Sequence, residues 1–156
     1  MKRVLTLSFV VWLEMLRRKE IYVFLFLLLA FLFILMTLNI FGLGKLIGYL
    51  KEIGLLLAWL FSWILAVNIA TRLLPREEKQ GTIFLLLAKP INRYELVLGK
   101  WLGAWSISSF ATLIFYMVLV ILVCLRGAVF DWDVLAQGLL LHIELLGMLS
   151  ALGVMF

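Results

Sequence analysis

Cysteine, histidine and proline are almost missing from this chain, with one, one and two copies in 156 residues. A single thiol rules out an internal disulfide, and one Cys with one His cannot supply a multi-ligand zinc cluster. Charge is also scarce: Asp, Glu, Lys and Arg make up 15% of the residues, and none falls in 21–44, 53–71 or 101–125. With 66% apolar residues and a mean hydropathy of +1.19, a soluble domain of this length could not cover its own core. The bilayer is therefore the natural solvent. The apolar segments also lack period-two alternation, which excludes a membrane β-barrel and leaves helices to satisfy the backbone in lipid. Cys124 lies within such a run and reads as a small buried hydrophobe.

What the chain does have is four apolar segments of spanning length. About 20 helical residues cross a hydrocarbon core of about 30 Å. The first segment runs from about Ile21 to Phe41, the second from about Ile53 to Leu73, and the third is the charge-free run Trp101 to Leu125. The fourth, from about Val134 to Phe156, is interrupted by His142 and Glu144. The expectation is an all-α, polytopic transmembrane helix bundle of four spans, with residues 1–156 as one transmembrane domain. Pro75 should stop or kink the second span at Leu74, and "FGLGKLIGYLKE" reads as a short outer turn. Asn92 with Glu95 three positions on makes a capping box that starts the third helix at Arg93.

With the amino terminus in the cytosol, eleven of the fourteen basic residues lie on the inner side. Only Lys45, Lys51 and Arg126 lie outside, a strong positive-inside bias that marks orientation and not nucleic-acid binding. Tyr22, Tyr94, Trp101 and Trp105 fit as inner aromatic anchors, and Tyr49, Phe130 and Trp132 as outer ones. The opening "MKRVLTLSFVVWLEMLRRKE" lacks a signal-peptide cleavage site. Its polar residues gather on one helical face, so it reads as an interfacial helix with Trp12 dipping inward. Gly99, Gly103, Ala104, Ser108 and Thr112 form a small-residue stripe suited to close helix packing.

Chemistry-bearing motifs are few. "LVLGKW" has a Gly-Lys pair, but Tyr94 and Trp101 occupy the places where a phosphate-binding loop needs Gly and Ser or Thr. No GxSxG or HExxH is present, and Asp131 and Asp133 lie in an outer loop, which weighs against an intramembrane enzyme. Glu144 is costly in a span, by about 2.5 to 3.5 kcal/mol at the centre. It shares a helical stripe with Gln137, Gly147 and Ala151 that should turn toward other helices. It lines either a pathway or a subunit seam, or it is a protonated carboxyl satisfied by a neighbour. His142 points to the opposite side of the same helix.

The remaining oddity is "IFLLLA", Ile83 to Ala88, a greasy sextet too short to cross and flanked by charges and by Pro75 and Pro90. Gly81-Thr82 supplies a joint and an N-cap, so Ile83 to Lys89 suits about two turns of helix. Held at both ends by spans, such a helix would move both when pushed. Glu77-Glu78, "GT", "LLLAKP", Arg93 and "LGK" in this order resemble the loop after the second span in type-2 export permeases of ATP-binding-cassette (ABC) transporters.

That resemblance implies a short cytoplasmic coupling helix, with Glu77, Glu78, Gly81, Thr82, Leu86, Pro90 and Arg93 forming the loop that docks an ABC ATPase subunit. It further implies a permease homodimer, or pairing with a second permease, in the inner membrane of a bacterial or archaeal cell. ATP and Mg would be bound by the partner, with no cofactor in this chain. Members of that family usually have six spans, so these residues are expected to be the amino-terminal part of a six-span permease domain, with the last helix interrupted at Phe156. A membrane anchor or assembly subunit without transport is the alternative from another class.

Overall fold

The computed structural model describes residues 2–17, 19–39, 46–79, 93–125, 127 and 131–155. These residues form five helices: α1 (Lys2–Arg17), α2 (Glu20–Asn39), α3 (Leu46–Lys79), α4 (Arg93–Leu125) and α5 (Trp132–Met155). No strand occurs among the described residues. Three helices have stretches long and apolar enough to cross a membrane: Lys51–Thr71 in α3, Tyr94–Leu125 in α4 and Trp132–Met155 in α5. By the same measure the apolar part of α2 is the shorter Ile21–Ile34. The helix itself has 20 residues, about 30 Å at 1.5 Å each.

Two expected boundaries are corrected. The second long helix already begins at Leu46, so much of the supposed outer turn is helical. Its Leu, Ile, Lys and Glu are good helix formers, and one interior glycine, Gly48, costs only about 1 kcal/mol. The same helix passes through Pro75 to Lys79 and does not stop at Leu74. Proline removes one intrahelical hydrogen bond, a loss that long membrane helices tolerate when neighbours hold the flanking turns. The third long helix begins at Arg93, as its capping pattern predicts.

Contacts fix the register. Gly54 of α3 lies against Leu119 of α4 and Leu32 of α2. Leu65 and Ile69 of α3 share a core with Ala104, Ile107 and Ala111 of α4, so these two helices run antiparallel along each other. Leu28, Leu32, Ala58, Phe115, Leu119 and Val123 make a second core toward the opposite end. The serine and threonine hydroxyls buried here turn back onto their own helices: Ser62 donates to the Ala58 carbonyl at 2.6 Å and Thr112 to that of Ser108 at 2.9 Å. They need no partner across the seam.

The small-residue stripe of α4 is a seat for α1. A Cβ at Gly99 would lie 2.8 Å from the Leu7 Cβ, and one at Gly103 would lie 2.8 Å from the Val11 Cβ. The matched spacing of four on both helices means α1 runs lengthwise along α4 in the same direction. Trp12 turns inward, as its position on the wheel predicts. Its indole N–H donates to Ser106 Oγ at 2.7 Å, and its ring meets Phe110 at 5.2 Å.

Candidate functional site

Glu77 and Glu78 fall in the last turn of α3, and Arg93 is the first residue of α4. Gly81, Thr82, Leu86 and Pro90, with the expected coupling helix Ile83 to Lys89, lie outside the described residues. The two helices that flank this stretch are the hub of the bundle. α3 touches α2, α4 and α5, and α4 touches all four other helices.

Between α4 and α5 sits a feature that sequence reading missed. Trp101 and Trp105, one turn apart, stack at 5.7 Å with their planes 10° apart. The Trp101 indole N–H donates to the Gly147 carbonyl at 3.0 Å and that of Trp105 to the Ile143 carbonyl at 2.9 Å. Two donors four residues apart thus engage two carbonyls four residues apart, which locks the register of the antiparallel pair. Gly147 permits the approach, since a Cβ there would lie 3.2 Å from Trp105 Nε1. Both indoles read in sequence as interfacial anchors, and their spacing of four is the signal of a shared partner.

His142 is also placed by tertiary contacts. It is 2% exposed, with Nδ1 3.4 Å from the Tyr116 hydroxyl and Trp59 edge-on at 6.1 Å. Its Nε2 is buried without a hydrogen-bond partner. Glu144, two residues on, is exposed with Leu141 and Met148 on the outer side of α5. The opposite orientations of these two residues are as expected from the helical wheel. The stripe that includes Glu144 does not turn inward as a whole: Gly147 is buried against Trp105, while Gln137 and Glu144 are exposed. The reason is that 137 and 144 lie nearly a half-turn from the buried 142 and 146. Cys124 is a free thiol and exposed, which corrects the expectation of burial. Lys100, counted among the inner charges, is buried at 2% exposure.

Among the described residues no group of three or more His, Cys, Asp or Glu side chains is arranged to hold a metal ion. The chemistry on display among the described residues is helix adhesion. A family model described as "ABC-2 family transporter protein" matches residues 10–156. The chain belongs to the ABC-2 transporter family. It is accordingly the membrane permease component of an ABC transporter and a multi-pass membrane protein. No curated protein and no solved structure matches it. The family match covers α2 to α5 entire and the second half of α1, including Val11 at the Gly103 seat.

Proposed function

We propose that this ABC-2 permease couples ATP hydrolysis, performed by a separate nucleotide-binding subunit, to the export of a substrate. The residues from Glu77 to Arg93 form the contact, and ATP and Mg reside in the partner. Two permease chains, either two copies or this chain with a second permease, bind two ATPases on the cytosolic face of a bacterial or archaeal inner membrane. The amino terminus lies on that same face, consistent with the charge bias.

The observation that carries this reading is the position of α3 and α4. They are the two arms of the loop and also the two helices with the widest contact to the rest of the bundle. A displacement of the loop therefore acts on both arms. The glycine seats carry it from α4 to α1, and the indole bonds carry it to α5. The permease converts motion into transport and breaks no bond itself.

The decisive experiment is co-purification of the ATPase with tagged permease. Leu86→Glu places a charge in the docking sextet. The ATPase is expected to be lost while the permease remains in the membrane fraction. Undiminished recovery of the ATPase would overturn the reading.

A further inference from the structure

α5 is the least enclosed of the three long spans: 28% of its apolar stretch is buried, against 44% in each of α3 and α4. Exposure inside a span is cheap where the side chains are apolar, as with Leu60 and Ile64 of α3 or Leu113 and Met117 of α4, because hydrocarbon covers them well. α5 is different. Its exposed side carries Gln137 and Glu144, and Glu144 stands near the midpoint of Trp132–Met155. Polar and ionisable groups inside a span are costly against acyl chains and turn toward other protein. This side of α5 therefore calls for a protein neighbour.

The spacing says which one. Gln137, Leu141, Glu144, Met148, Ala151 and Met155 follow one another in steps of four, three, four, three and four, an unbroken heptad stripe along the helix. All are exposed except Ala151, which is half-buried. In a parallel pair of helices about a twofold axis, the residues of such a stripe lie opposite their own counterparts, so they must be complementary to themselves. Both polar members are. An amide donates and accepts hydrogen bonds, and so does a carboxylic acid, so Gln137 and Glu144 can each bond to a second copy of the same group. Met148 and Met155, flexible and polarisable, fill the space between.

We infer that α5 pairs along this stripe with α5 of a second copy of the chain, the two helices parallel about an axis normal to the membrane, with Gln137 and Glu144 each hydrogen-bonded to its counterpart. The inference rests on the two-copy form of the permease pair proposed above and names the face that joins it. The stripe lies opposite the buried His142 and Leu146, so the pairing leaves the packing of α5 on α3 and α4 untouched.

The test is disulfide linking of the whole chain in native membranes, with Cys124→Ser so that only an introduced thiol reacts. Leu141→Cys and Met148→Cys leave Gln137, Glu144 and every buried residue in place. Each is expected to form a linked dimer several-fold faster than Met117→Cys, a comparably exposed position on α4. Adding Glu144→Ala should slow linking through Met148→Cys by roughly threefold to tenfold, the effect of one hydrogen bond within a membrane, while Glu144→Gln, which still donates and accepts, should not. Linking at 141 and 148 no faster than at 117, linking to a protein of another mass, or linking indifferent to Glu144→Ala would overturn the inference; lipid, another segment or another protein would then cover this side. The comparison with position 117 needs no change at Glu144, so it decides the matter even if Glu144→Ala does not fold. ATPase recovery is read separately with Leu86→Glu, so a failure of docking and a failure of this pairing are told apart.

Discussion

The two seams made by α5 differ in kind. Against α4, tryptophan donors meet carbonyls of the facing helix, and a glycine lets them in. Against α3, Gly153 presses on Ala70, yet a groove runs alongside and the tryptophan on its wall has an N–H with no acceptor. The first seam satisfies its two indoles with protein carbonyls, though His142 Nε2, beside Tyr116 of α4 and Trp59 of α3, has no partner either. The second is closed by shape at one place and keeps polar capacity in reserve at another. In lipid, where apolar burial gives little preference for one helix neighbour over another, such pairings decide which helices move together. The α4–α5 seam is thus keyed by two hydrogen bonds and the α3–α5 seam by shape.

That contrast can be broken most forcefully at Gly153. A Cβ there would lie 2.6 Å from the Ala70 Cβ, so Gly153→Leu must push α3 from α5. Overpacking of this kind costs about 1 to 3 kcal/mol. A clear fall in the thermal midpoint of the detergent-solubilised protein is expected, and an unchanged midpoint would show that this seam is not closed as described. Next in size is Trp105→Phe, which keeps most of the ring but removes an interhelical bond worth about 0.6 to 1.7 kcal/mol in a membrane. A moderate loss of stability is expected in the same assay.

Trp63→Phe is the matched control on the other seam. The same substitution removes an N–H that has no protein partner, so stability in lipid-free detergent should hold or rise slightly, since a buried unmet donor is relieved. Equal losses at 63 and 105 would erase the distinction between the seams. The smallest effect is expected for Glu144→Gln, because Glu144 is exposed and touches neither seam. Assembly should be unaffected on gel filtration, and unchanged transport by that variant would remove Glu144 from any substrate pathway.

Much of the helical plan was legible in the residues. Charge-free runs marked the interiors of the long helices, the Asn92 and Glu95 pattern placed the start of α4, and Gly99 and Gly103 announced a close helix neighbour. Their partner was not legible, because any helix with a suitable ridge fits a glycine notch; it proved to be α1. Pro75 gave a weaker signal. Of the stop or kink expected there, the stop does not occur, since α3 continues to Lys79. The proposed docking role of Gly81, Thr82, Leu86 and Pro90 rests on the sequence pattern and its resemblance alone.

Composition and charge spacing by themselves determined that this chain is a bundle of membrane helices with one end rich in cations, because transfer into hydrocarbon depends on summed side-chain polarity and needs no partner. Which face of each helix meets another was decided only by tertiary structure. The long helices are apolar nearly all round, so no hydrophobic periodicity distinguishes a lipid-facing side from a packed one. Three-dimensional contacts alone brought Trp101 and Trp105 to the carbonyls of α5, buried His142 beside Tyr116 while leaving Glu144 outside, and set Trp63 in a groove without an acceptor.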